Sequence, residues 1–178
     1  MTFLIFDNKT LINTIETDTI ENIYNSEEYK KEYTIVQIDK TQKYENDEIV
    51  MKSDAEKFAD GIITLEEYKE LKIAEIDKAR NEYCQTPISY NNYEFRMLEE
   101  DQALMSRTLS AYADALPENF AWISIDNRMM PCARDDLQKI AELVANRTSL
   151  TFIKARLLKD KILASKDGKD IESIKLEL

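Results

Sequence analysis

Histidine is missing from this chain, and glycine occurs only at positions 61 and 168. The first absence removes Ser-His-Asp and Cys-His nucleophiles, His-ligated zinc and imidazole acid–base work. The second removes glycine-rich phosphate loops, which need several glycines in one turn. Two cysteines, Cys84 and Cys132, are too few for a disulfide framework or a Cys-based metal site. Buried, reduced thiols are the expectation. Only 3 prolines join the 2 glycines, which argues against long structureless linkers. No apolar run approaches the roughly 20 residues that a membrane span requires. Met1 to Phe6 lack the cationic start and full apolar stretch of a signal peptide. Together these features predict a soluble chain made in a cytoplasm.

An excess of basic charge is also missing. Asp and Glu number 35 against 24 Lys and Arg, a formal charge of −11. Nucleic acid as a main ligand and anionic membrane surfaces are both disfavoured, because each needs clustered cations. The local strip Lys154, Arg156, Lys159 and Lys161 is interrupted by Asp160 and reads as a solvated helix face. What is present is a 43% hydrophobic share over 178 residues, enough for one domain or one with a smaller appendage. Charged residues reach 33%, so the exterior is heavily solvated.

The pattern along the chain is that of an α+β fold, with a small N-terminal antiparallel β region ahead of helices and hairpins. Residues 2–16 read as a hairpin, with Phe3 to Phe6 as one strand, Asp7-Asn8-Lys9 as turn chemistry and Leu11 to Ile15 returning. Tyr33 to Ile38 is β-branched and alternating. A charged turn from Asp39 to Asp47 then leads to Glu48–Met51 as its partner strand. Thr64 and Glu67 form a capping-box pair, and apolar positions from Leu65 keep helical period to about Tyr83. Asn91-Asn92 sets a tight turn between aromatic strands from Ile88 to Phe95. A helix follows from about Glu99 to Ala115, with Leu104, Met105, Leu109, Tyr112 and Ala113 as its apolar stripe and Pro117 closing it. Residues 121–130 form a hairpin around Trp122, and a long helix carries apolar positions from Leu137 to Ile162. Asp167-Gly168 reads as its stop, with Gly168 relieving a left-handed cap. The implied organisation is a β-rich region at 1–62, a helix-and-hairpin body at 63–168 and a polar tail at 169–178.

Each candidate for chemistry has a structural alternative. Asp60 to Tyr68 copies the back half of an EF-hand loop, but the register puts Phe58 at a ligand position and Glu56 at position one. A Gly61 turn into a capped helix is the favoured reading. Glu99-Glu100-Asp101 and Asp135-Asp136 pair carboxylates, yet both stand where helices begin and the dipole welcomes negative charge. Trp122 reads as a core anchor before a stacking platform, and Tyr90, Tyr93 and Phe95 are treated alike, with more room for partner contact. On the long helix, Leu137, Ala141, Val144, Thr148, Thr151, Ala155, Leu158 and Ile162 approach a heptad seam. Ile140, Leu143, Leu150, Ile153 and Leu157 broaden it, which favours intramolecular packing over oligomerisation. No catalytic, cofactor-binding or metal residue is assigned, and the chain reads as no enzyme.

From about Leu71 to Lys161 the order of parts resembles a domain of unknown function found in tail-fibre and tail-fibre-assembly proteins of tailed phages and prophages. The matching stretches are Ala74 to Arg80, Tyr90 to Phe95, Ala121-Trp122, Asp126-Asn127 and Ala155 to Ile162. Asn92 stands where that family often has Gly, and Pro131-Cys132-Ala133 departs from its usual Thr and Leu. The resemblance implies a non-enzymatic tail accessory protein, either an assembly factor (a chaperone) or a small virion subunit, with a tail-fibre or baseplate protein as partner. It implies residues 1–62 as the partner-facing part, and work in the host bacterial cytoplasm during assembly or in the virion tail. It brings no cofactor and no active residue. Two other classes stand beside it: an acidic phage-encoded inhibitor of a host defence protein, and a carboxylate-dependent hydrolase.

Overall fold

The computed structural model describes residues 1–7, 9–24 and 33–177, so Asn8 of the first expected turn lies outside the described residues. The fold is α+β and divides into two compact units, Met1–Tyr68 and Lys69–Leu178.

In the first unit, β1 (Thr2–Asp7) pairs antiparallel with β2 (Thr10–Glu16) and with β3 (Thr34–Ile38), giving the sheet order β2-β1-β3. Phe3 and Ile5 point to one face and cluster with Ile23 of the short helix α1 (Glu21–Tyr24). Alternation along β1 explains the choice, because residues two apart share a face. The expected pairing of 48–51 with 33–38 is corrected. Strand β5 (Glu48–Met51) pairs instead with β4 (Gln42–Glu45), within the segment read as a charged turn. The real turn is Asn46-Asp47, with φ of 50° and 65°, the left-handed pair that a two-residue hairpin needs. Asp39 holds the preceding bend by accepting from the Thr41 N–H at 2.8 Å and from the Thr41 hydroxyl at 2.7 Å. Helix α2 (Asp54–Ala59) follows, capped by Ser53 and Glu56 in a reciprocal box.

Helix α3 (Leu65–Cys84) starts where the Thr64–Glu67 box predicts. The Thr64 N–H donates to Glu67 at 2.7 Å, and the Glu67 N–H donates back to the Thr64 hydroxyl at 3.2 Å. In the second unit, β6 (Ile88–Tyr90) and β7 (Tyr93–Phe95) turn through Asn91 and Asn92, at φ of 50° and 61°. Helix α4 (Glu99–Ala111) is four residues shorter than expected. Thr108 and Ser110 hydroxyls donate to the carbonyls of Leu104 and Ser106, a competition that weakens a helix end. Hairpin β8 (Ala121–Ile123) and β9 (Met129–Pro131) precedes α5 (Arg134–Ala164). Phe95, Met97, Met105, Met130, Leu137 and Ile140 form the main core, where both hairpins meet α4 and α5.

Two further expectations are corrected here. Gly168 does not end α5 in a left-handed cap; α5 ends at Ser165 in extended conformation, and Gly168 opens α6 (Gly168–Ser173). The Asp167 carboxylate N-caps α6 by accepting from the Lys169 N–H at 2.6 Å, and Ile171 seats the helix by burying fully. On α5, Ile140 is buried with Leu137, Val144, Thr151, Ala155 and Ile162, but Leu143, Leu150, Ile153 and Leu157 stay exposed. Helical period is the same for an inner and an outer stripe, so periodicity could not separate them.

Candidate functional site

A groove of about 570 Å³ opens in the second unit between α4 and the outer side of β8. Helix α4 supplies Asp101, Leu104 and Thr108, and the chain from Phe120 through Ile125 supplies the other wall. The position of α4 is set at its start. Asp101 accepts from the Leu98 N–H at 3.0 Å, and Arg96 joins the same carboxylate at 2.8 Å. Leu104, expected in the inner stripe of α4, is 50% exposed and faces this groove. Ile123 is 59% exposed and Ile125 52%. Three large aliphatic side chains thus stand in solvent around one concavity, an arrangement that costs hydration free energy unless something covers it.

The Trp122 hairpin is held by its own loop. Asn127 takes φ of 65°, and the Arg128 N–H donates to the Ser124 hydroxyl oxygen at 3.1 Å. The Ser124 hydroxyl lies 2.5 Å from Asp126, and with Arg128 it holds the Asp126 carboxyl below the usual range. The Arg128 guanidinium lies 4.6 Å above the Tyr93 ring and donates to the Asn92 carbonyl at 3.1 Å, joining the two hairpins. Trp122 itself is half-buried: it packs on the main core, sits 6.1 Å from the Phe120 ring and lines the groove. It is core anchor and groove wall at once.

The paired carboxylates fall where helices start. Asp136 accepts from the Ala133 N–H at 3.0 Å and from the Tyr90 hydroxyl at 2.8 Å, which raises the Tyr90 pKa. Asp101 plays the same part for α4. In the EF-hand look-alike, Gly61 takes φ of 66° as the turn, while Glu56 pairs with Lys43 at 2.6 Å and Asp60 with Lys52 at 2.7 Å. Among the described residues no cluster of three or more His, Cys, Asp or Glu stands ready for a metal ion. Cys84 and Cys132 are free and buried, and burial, reinforced by the Asp136 charge, pushes the Cys132 thiol up to about 11. In the basic strip, Lys159 pairs with Asp77 and Arg156 with Asp160 at 3.0 Å. No helix among the described residues is long and apolar enough to cross a membrane.

Sequence reading placed Leu104 in the apolar stripe of its helix and gave Ile123 and Ile125 no role beyond the Trp122 hairpin, so it missed their exposure. It also missed Arg147, whose guanidinium donates to the Cys84 carbonyl at 2.7 Å and the Thr86 carbonyl at 2.7 Å, closing the end of α3. Only Arg147's place on the long helix was visible, and its partners lie about sixty positions upstream.

Residues 67–175 match the model of a family described as a domain of unknown function, DUF4376. No curated protein and no solved structure matches the chain.

Proposed function

The chain belongs to the DUF4376 family, and from that premise we propose that it is a non-enzymatic phage or prophage tail accessory protein. In this reading it binds a tail-fibre or baseplate protein, as an assembly factor or as a small structural subunit. The tail assignment is supported by the resemblance of residues 71–161 in order of parts, a stretch that lies inside the matched region. The binding role is supported by one observation above the others: the groove beside β8, rimmed by exposed Leu104, Ile123 and Ile125. Such a patch suits a protein surface more than a small polar substrate. Residues 1–62 remain a candidate partner surface from sequence, but the groove favours the second unit as the place of contact. The charge of −11 limits non-specific association with nucleic acid and keeps the free protein dispersed.

Co-expression with a candidate tail-fibre protein tests the reading. The expectation is co-purification, with fibre yield falling when this chain is omitted. Retention in purified particles marks a structural subunit, whereas absence from particles together with loss of fibres marks an assembly factor. If the two proteins do not co-purify and fibres are unchanged without this chain, the proposal falls.

A further inference from the structure

We infer that the groove takes its partner as a short extended strand, an uncharged segment of another protein laid along the open edge of β8. This rests on the reading of the groove as a protein-binding site. The backbone supplies the argument. The Ser124 N–H donates to the Arg128 carbonyl at 3.0 Å and the Cys132 N–H to the Phe120 carbonyl at 3.1 Å. An antiparallel ladder alternates, so Phe120, Trp122 and Ser124 bond across to the β9 side, and the N–H and C=O of Ala121 and Ile123 point the other way. Pro131, opposite Ala121, has no N–H and sits at a position that needs none for this ladder. Farther along the same edge, the Ile125 N–H donates to the Glu94 carbonyl at 2.8 Å. That bond shows the edge in hydrogen-bonding geometry and marks where the open stretch ends.

The open stretch is three residues, about 10 Å at strand rise, and offers two donors and two acceptors. An incoming strand satisfies these four groups and covers Leu104 and Ile123, which stand exposed beside them. The charges near the groove are already matched: Arg96 with Asp101 at 2.8 Å and Arg128 with Asp126 at 2.5 Å. An incoming charge therefore finds no free counter-charge there, and a segment alternating branched apolar with polar residues suits the groove best. The outer edge of β2 differs, because the Asn13 side chain accepts from the Thr14 N–H at 2.7 Å and so blocks that edge locally.

The test uses the full chain and an end-blocked hexapeptide alternating valine with threonine, read by amide hydrogen exchange. In the free chain the Ala121 and Ile123 amides exchange fast; bound peptide slows both at least tenfold. Ile123→Pro deletes an outward N–H and no bond to β9, so it weakens peptide binding at least tenfold, while Ile123→Val, which keeps that N–H and trims one methyl, weakens it far less. Where the proline variant does not fold, the exchange map of the parent chain decides. No peptide binding, protection confined to other residues, or a proline variant that binds like the parent overturns the inference. So do slow Ala121 and Ile123 amides in a peptide-free dimer, since a second copy then occupies the edge. Peptide binding with these protections but no fibre co-purification removes the tail reading and leaves strand addition standing; co-purification with both amides unprotected does the reverse.

Discussion

Single side chains carry much of the second unit's architecture, and Arg147 is the clearest case. Its guanidinium donates to the carbonyls of Cys84, Thr86 and Pro87 and to the Thr86 hydroxyl, and lies 5.7 Å from the Tyr83 ring centroid. A cation at a helix C-terminus also complements the macrodipole. Partial burial lowers its pKa, yet the group stays charged because an arginine starts so far above neutrality. Arg147→Ala is expected to cost about 2 kcal/mol in urea unfolding. Arg147→Lys should recover less than half of that, because an ammonium cannot span the same carbonyls. Cys132 gives a second expectation. With its thiol pushed up to about 11, it stays protonated at neutral pH and should react slowly with a disulfide reagent until the chain is unfolded. Glu56 gives a third. Lys43, then the Ser53 N–H, lower its pKa from 4.5 to about 2. The native state therefore favours the carboxylate, so the stability it contributes is whole above 4.5 and is lost as pH falls toward 2. Thermal melts of the parent and Glu56→Gln should converge across that interval and differ above it.

At the level of elements, locally written features were legible in the sequence. The Thr64–Glu67 box, the Asn91-Asn92 turn and the acidic helix starts each depend on residues within three positions of one another, and all stand as expected. Partner choice between distant segments was not legible. Gln42–Glu45 alternates no apolar residues, so β4 went unseen and β5 was given the wrong neighbour. Helix α5 shows the same limit in another form, for its inner and outer stripes share one period. Ile140, with 0% exposure, and Leu150, with 62%, therefore predict opposite outcomes. Ile140→Ala should cost about 3 kcal/mol through lost transfer energy and a cavity. Leu150→Ala should stay within about 0.5 kcal/mol. Matched denaturation curves of the two variants check the assignment of faces.

For the whole molecule, the groove was the part of the site least visible beforehand. Trp122, Ile123 and Ile125 were in plain view as apolar letters, but only the fold shows Leu104 brought opposite them, with β8 paired on one side. The two units supply different things: a three-stranded sheet with β4–β5 beside it in the first, and a groove with an open strand edge in the second. On the proposed reading, the net negative charge keeps the molecule dispersed and the exposed aliphatic rim takes a protein segment. Hydrogen-exchange mapping of the chain co-expressed with a candidate tail-fibre partner addresses that proposal most directly. Slowed exchange concentrated at the Ala121 and Ile123 amides is the predicted result; a stable complex whose protection spares both amides would contradict it.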